Sequence, residues 1–493
     1  MGPQQDSAVT AFLEPRAWEG CFYDGKWRPA SNRFESCSPS TGKLLAHLGT
    51  TSKSELAQAI AVAGKAQLNW ARQPIAARAE VMRRAAELLA LHSEELAGWL
   101  VREGGSIRPK AAFEIQSAVD ELHHAAGLIT HSEGQVISSP DPDRLSFSRR
   151  LPIGIVGVIT PWNVPLLLAM RSVAPALVLG NAVVLKPDPH TSVSGGIALA
   201  RLFEMAGLPE GVFCMTPGGA EVGEALVEAP GVRMITFTGS THVGRRVGEL
   251  AGRNLKRVAL ELGGNSPMLV LDDCDIKKAV AAGAFGSFHH QGQICMATSR
   301  HIVSRAIADQ YVELLVQKAR SLAVGDPELS DVALGPLINS RQRDRAHDIV
   351  TRSIAAGAEI ATGGKYNALF YEPTVLTGVT PGMAAFDDEI FAPVAPIIVA
   401  EDDEHALELA AATPYGLAAA IQTGDIGRGL RLARRLRVGM IHINDQTIVD
   451  LPQAPMGGMG QSGNGSRFGS LSSWEDFTEW QWLTASSSPA LYP

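Results

Sequence analysis

The chain has 493 residues, 45% of them hydrophobic and 19% charged, with a formal net charge of −8. That length exceeds one ordinary hydrophobic core and predicts two or three domains, and the composition excludes a disordered chain. Mild net acidity gives no reason to expect nucleic acid as a partner.

Residues 1–14 are polar and lack a basic-then-apolar leader pattern, so the expected location is the cytoplasm. The first part reads as helical. Ser52 and Glu55 have the spacing of a capping box, and the apolar repeat continues through Ala57, Ile60 and Ala61. Further helical patterns run over 77–101 and 110–128. Over 131–150 the composition turns to Ser, Pro and Asp, which predicts a loop or an arm leaving the main body. Residues 151–170 carry no charge, yet Pro152, Gly154, Gly157, Pro161, Asn163 and Pro165 interrupt them. A membrane-spanning helix must satisfy its own backbone, so a buried strand, a turn and a helix are expected instead.

Strands are then predicted at 153–159, 182–186, 212–215, 234–237 and 258–262, with helices at 165–179, 192–206, 220–228 and 241–253. This alternation implies right-handed crossovers and a mostly parallel sheet, hence an α/β fold whose strand ends bind nucleotides. A second alternating block runs from Ser266 to about Met440. A Gly-rich passage over 455–469 and a tail with Trp474, Trp480 and Trp482 follow.

Three glycine patterns invite a nucleotide reading. Gly458, Gly460 and Gly463 spell GxGxxG, but no strand precedes them, which argues against a dinucleotide fingerprint. Gly239 and Gly244 lie between a strand and a helix, where backbone N–H groups could face a pyrophosphate; a plain turn explains them as well. Gly218-Gly219 before the helix at Ala220 is a weaker case.

The five cysteines, Cys21, Cys37, Cys214, Cys274 and Cys295, form no CxxC pair, so neither a disulfide framework nor a metal site is expected. Isolated cysteines are mostly small core residues, but Cys295 has polar and glycine neighbours in His290-Gln-Gly-Gln-Ile-Cys295. It becomes a nucleophile if its surroundings lower the thiol pKa. Glu261 ends an apolar strand, where a carboxylate is either salt-bridged or raised in pKa as a general base. Asn163 lies between Pro161 and Pro165, either forming the turn or presenting a fixed amide to an oxyanion. Lys186 ends a strand, either solvated or reaching a ribose or phosphate.

Together these segments form an ordered set. Thr160-Pro-Trp-Asn163, Lys186-Pro187, Phe237-Thr-Gly-Ser240, Glu261-Leu-Gly-Gly264, Gln293-Ile-Cys295 and Glu389-Ile-Phe391 occur in the order and spacing of the aldehyde dehydrogenase superfamily, which the chain resembles over nearly its whole length. The resemblance implies Cys295 as nucleophile, Asn163 with the Cys295 N–H as oxyanion donors, and Glu261 as activator of the hydrolytic water. It implies NAD or NADP held by Ile159, Thr160, Pro161, Trp162, Lys186, Gly219, Gly223, Phe237, Gly239, Ser240, Val243, Gly244, Leu262, Glu389 and Phe391. It further implies a Rossmann-type cofactor domain (1–130 and 150–263), an α/β catalytic domain (264–442, with 443–469 returning to the active-site region) and a small β arm (131–149 and 470–493). The arm implies a homodimer or homotetramer.

The chain departs from the family pattern in places. Pro189 stands where a glutamate often disfavours NADP, and Ala392, Met456 and Val164 replace a glycine, an aromatic residue and a frequent phenylalanine. Val101–Lys110, Met170–Leu177, His289–Met296 and His442–Gln446 are similar to bacterial benzaldehyde dehydrogenases, which implies an aromatic aldehyde. The alternatives are a CoA-acylating aldehyde dehydrogenase, a non-redox cysteine hydrolase or acyltransferase, and a non-catalytic binding protein.

Overall fold

Two seven-stranded sheets organise the chain, and the reason for both lies in runs of small and branched apolar residues. The computed structural model describes residues 11–469 and 471–489; the expectations touching 1–10, Ser470 and 490–493 lie outside the described residues. The first sheet has the order Arg257–Glu261, Val232–Thr238, Ile155–Ile159, Ala182–Lys186, Phe213–Met215, Cys21–Tyr23, Trp27–Pro29. Its first five strands are parallel and its last two antiparallel. Every residue of Ile155–Ile159 and Ala182–Lys186 is buried, as strands covered on both faces require.

The second sheet has the order Glu359–Thr362, Thr374–Thr377, Val394–Ala400, Thr298–Ser304, Ser266–Val270, Ala418–Gln422, Met440–Ile443. It is parallel apart from its first strand. The expected block from Ser266 to Met440 therefore ends within its last strand. Helices Ala220–Glu228 and Thr241–Arg253 have their predicted bounds. At the capping box the Ser52 hydroxyl accepts from the Glu55 N–H at 3.3 Å, and the Ser52 N–H donates to Glu55 Oε2 at 2.7 Å.

Four expectations change. The single helix over 77–101 is two, Ile75–Leu91 and Ser93–Gly104, parted at His92, whose φ of −99° and ψ of 18° leave the helical region. The helix expected over 192–206 opens as a π-helical turn, Val193–Ile197, before Ala198–Met205. The first part is not only helical: Cys21–Tyr23, Trp27–Pro29, Asn32–Cys37 and Leu44–Thr50 are strands, too short or too exposed to leave a clear period of two. Of the loop or arm expected over 131–150, the loop alternative gives way to strands. Gly134–Val136 and Arg144–Pro152 join Thr478–Ser486 in an antiparallel three-stranded sheet, in register from Pro152↔Thr478 to Arg144↔Ser486.

The strand, turn and helix expected over 151–170 are present as Ile155–Ile159 and Pro165–Val178. Among the described residues no helix is long and apolar enough to cross a membrane. All five cysteines are free. The carboxyl ends of four strands of the first sheet converge on one cavity, and the loops carrying Cys295 and Glu389 close it from the other side.

Candidate active site

The cavity has a volume of about 670 Å³, within the range of small-molecule sites. Its floor follows from strand ends. Ile159–Ile155 runs into Thr160, Pro161, Trp162 and Asn163, Lys186 closes its own strand, and Phe237 leads to Gly239 and Ser240. Glu261 and Leu262 end the outermost strand.

Two helices start against this wall. Gly219 and Gly223 border the cavity at the head of Ala220–Glu228, and Ser240 and Val243 at the head of Thr241–Arg253. Ser240 caps its helix by accepting from the Val243 N–H at 3.4 Å. Helix N-termini carry partial positive charge and favour a phosphate. Lys186 is buried beside them, and burial pushes its ammonium below the usual lysine range while Asp188 and Glu221 counter it. Gly244 differs from the expectation: it does not line the cavity. A Cβ there would stand 2.3 Å from Leu262 Cδ2, so this glycine lets the helix pack against Leu262, which does form the wall. The GxGxxG run at 458–463 precedes no helix; instead Gly463 bridges to Glu261 and Ser462 O accepts from the Leu262 N–H at 2.9 Å.

Opposite, Glu389 is held by the Gly264 N–H, 2.9 Å from Oε1. Gly263 makes room for it, since a Cβ there would meet Glu389 Oε2 at 2.4 Å. Burial raises the Glu389 carboxyl to about 7. Phe391 has a φ of +57°, a strained value for a bulky residue, and its ring meets Trp162 edge-on at 5.6 Å. A hydride-carrying dinucleotide suits these walls: helix N-termini and an ammonium at one end, a carboxyl and aromatic edges at the other.

The thiol loop is strained too. His290, Gln291 and Gly292 have φ values of +50°, +56° and +66°, three consecutive left-handed residues before Cys295. Side chains hold the loop: Gln291 Nε2 donates to Gly105 O at 3.1 Å and Pro336 O at 2.8 Å, and Gln293 Oε1 accepts from the Ile338 N–H at 3.0 Å. Asn163 Nδ2 donates to the Gln293 carbonyl at 2.8 Å. An amide nitrogen has two hydrogens, so one orients the group and the other remains for a ligand.

Cys295, Glu261 and Asn163 border the same cavity. Around Cys295 pack Ile294, Met296, Leu417, Met440, Ile448 and Met456, an apolar cluster. The thiol is not acidified as expected: burial, then the negative charges of Glu389 and Glu261, push it up to about 12. Among the described residues Glu261 has no salt-bridge or hydrogen-bond partner for either buried oxygen. Burial holds its carboxyl well above the usual range, against the opposing pull of Arg467 and Arg171. An unpaired buried carboxyl, a thiol and a free amide N–H can together make and break an acyl–sulfur bond.

Several supporting residues escaped sequence reasoning. Arg171 is buried between Glu121, at 3.1 Å from its Nε, and Asp450. Buried Glu103 accepts from the Val193 and Ser194 N–H groups, both at 2.9 Å. Lys110 and Glu114 form a buried pair beneath Asn163. Only the presence of charge inside otherwise apolar helical patterns could have signalled them.

Comparison with known proteins agrees with this geometry. The family model described as the aldehyde dehydrogenase family matches residues 27–483. A vanillin dehydrogenase of Amycolatopsis sp. is 51% identical over 485 residues, 98% of this chain and 100% of that protein. The benzaldehyde dehydrogenase (NAD+) of Pseudomonas putida is 48% identical over 481 residues, 97% and 99% of the two chains. Among crystal structures, betaine aldehyde dehydrogenase from Staphylococcus aureus in complex with NAD+ superposes with a TM-score of 0.93 at 30% identity, covering 97% of each chain. An NADP-dependent enzyme of E. coli does so with a TM-score of 0.93 at 31% identity, covering 96% and 99%. The α/β, Rossmann-like architecture expected from the sequence is the one these proteins share, and the chain belongs to the aldehyde dehydrogenase family.

Proposed function

We propose that this enzyme oxidises an aromatic aldehyde of the benzaldehyde type to its carboxylic acid, with NAD or NADP as hydride acceptor. One observation carries the reading: Cys295, with an apolar cluster packed against it, shares one cavity with the Asn163 amide and the unpaired Glu261 carboxyl.

Cys295 Sγ bonds to the aldehyde carbon, and the carbonyl oxygen gains the charge. The second Asn163 Nδ2 hydrogen and the Cys295 backbone N–H stabilise that oxyanion. When bound, the nicotinamide supplies the hydride acceptor, and loss of hydride from the carbon leaves a thioester on Cys295. Glu261 then takes a proton from water, whose oxygen attacks the thioester; the C–S bond breaks, the acid departs and sulfur recovers its proton. Burial raises the Glu261 carboxyl above the usual range, so its ionised form is a stronger base than an ordinary glutamate. Burial keeps the resting thiol protonated, so its proton passes to solvent water as Sγ bonds to the carbon, and sulfur later takes a proton back from the Glu261 carboxyl.

Lys186 and Glu389 would hold the two riboses of the cofactor, and Gly239, Ser240 and Val243 would face its pyrophosphate. Ile159, Thr160, Pro161, Trp162, Gly219, Gly223, Phe237, Leu262 and Phe391 shape the channel, with Gly244 acting through Leu262. The first sheet and its helices, within 11–130 and 150–263, form the cofactor domain, and 264–442 with the returning 443–469 form the catalytic domain. The arm, whose described strands are Gly134–Val136, Arg144–Pro152 and Thr478–Ser486, joins copies into a homodimer or homotetramer in the cytoplasm.

The aromatic assignment draws on the apolar cluster packed against Cys295 and on the substrates named for the two relatives. The test is NADH and NADPH formation over a panel of aromatic and aliphatic aldehydes, with Cys295→Ala as control. Preference for aliphatic aldehydes would overturn the substrate class. A CoA thioester as the product when CoA is added would replace hydrolysis by CoA acylation.

A further inference from the structure

Helix Arg108–Gly127 runs behind the active-site turn and carries two buried charges one turn apart, Lys110 and Glu114. Lys110 Nζ is 2.9 Å from the Asn163 carbonyl oxygen, 3.1 Å from Ser106 Oγ and 2.5 Å from Glu114 Oε2. An ammonium has three hydrogens, and here each has an acceptor. Glu114 Oε1 accepts from the Leu166 N–H at 2.8 Å and the Leu167 N–H at 3.4 Å. Those are first-turn donors of helix Pro165–Val178, whose N-cap residue, Val164, has no capping side chain. Glu114 therefore caps that helix from another one.

The pair thus grips both ends of Asn163-Val164-Pro165. Lys110 holds the carbonyl before Val164, and Glu114 holds the amide after Pro165. The turn that leads into the Lys110 helix also reaches the thiol loop, because Gly105 O accepts from Gln291 Nε2. Between these grips the Asn163 side chain bridges to Gln293 O, two residues before Cys295. A buried ion pair contributes little net stability compared with apolar residues of the same volume, so stability alone does not explain two charges here.

We infer that the Lys110–Glu114 pair positions Asn163, fixing where its free amide hydrogen meets the oxygen of the substrate bound to Cys295. The inference rests on the reading of Asn163 as oxyanion donor. Lys110 and Glu114 are positioning residues: every hydrogen of Lys110 is committed, and Glu114 faces backbone.

The test compares full-length wild type with Lys110→Met, Lys110→Arg, Asn163→Ala and the Lys110→Met/Asn163→Ala double variant. Lys110→Met should lower kcat roughly 10²-fold, the scale of a lost oxyanion donor. The KM for NAD+, NADH binding by fluorescence and the rate of Cys295 alkylation should stay within about threefold. In the Asn163→Ala background the same substitution should cost less than about threefold, because the donor it places is gone. Lys110→Arg, which keeps the charge but changes its reach, should recover part of kcat.

If Lys110→Met does not fold, Lys110→Arg and Ser106→Ala carry the test, and unchanged kcat in both overturns the inference. It is also overturned if the losses from Lys110→Met and Asn163→Ala multiply in the double variant. A lower Tm with unchanged kcat in the folded enzyme has the same consequence. Wild type inactive with every aldehyde overturns the functional reading together with this inference; active wild type with unaffected Lys110→Met overturns this inference alone.

Discussion

The side-chain amide of Asn163 donates to the backbone carbonyl of Gln293 at 2.8 Å, tying a turn of the first sheet to the thiol loop 130 residues away. The bond fixes the rotation of the amide, so its second hydrogen has one direction left. Asn163→Ala should therefore lower kcat by roughly 10²–10³ while leaving cofactor affinity near wild type. Steady-state kinetics with cofactor titration check this; an equal loss in cofactor binding would mean that Asn163 holds the turn and not the oxyanion.

How much of this was legible depended on the range of the interaction. Ala220–Glu228, Thr241–Arg253 and the Ser52 capping box rest on residues within a few positions of one another, and the sequence pattern located them. The strands over 21–50 were hidden: Cys21–Tyr23 is three residues long and pairs with Met215, far along the chain. Lys110 and Glu114 have the spacing of a surface helical pair, and only partners at Asn163 and Leu166 reveal a buried one. Gly244 shows the opposite case. Its motif position suggested a phosphate cradle, while its missing Cβ serves the packing of Leu262.

The Cys295 thiol, pushed up to about 12, sets an expectation for the cofactor-free enzyme. Alkylation of Cys295 by iodoacetamide should keep rising with pH and reach no plateau below about pH 9. Glu389 is the largest charge raising this thiol, so Glu389→Gln should move the profile to lower pH. A plateau near neutral pH in wild type would show a thiolate at rest and remove the need for deprotonation during attack.

Glu261 and Glu389 both have carboxyl pKa values raised in the folded state, Glu389 to about 7. Such groups stabilise the fold fully below their unfolded pKa near 4.5, and that contribution is lost as pH rises through the folded value. At pH 8 the wild type should therefore have lost stabilisation through these carboxyls that it has at pH 4. Glu261→Gln should raise Tm by a few degrees (about 1–5 °C) at pH 8 and by nothing at pH 4. Thermal melts across that range check the sign. The same variant should keep a pre-steady-state burst of NADH while losing turnover, since its deficit falls on thioester hydrolysis.

Pro189 borders the cavity beside Lys186, Asp188 and His190, and Arg341 and Arg345 also line it. The carboxylate nearest in sequence is engaged: Asp188 Oδ1 accepts from the His190 N–H at 2.9 Å and lies 2.8 Å from His190 Nδ1. Position 189 itself brings no negative charge against a 2′-phosphate, so the enzyme should accept NADP as well as NAD. Pro189→Glu would place a carboxylate there. Like charges about 5 Å apart repel by about 0.8 kcal/mol in water and about 3 kcal/mol at an effective dielectric of about 20. A tenfold change needs about 1.4 kcal/mol, which lies between those limits. The variant should lose roughly tenfold in kcat/KM with NADP and stay within about threefold with NAD. Parallel kinetics with the two cofactors decide it: an unchanged ratio would mean that the 2′-phosphate sits away from residue 189 and that selectivity is set by other residues.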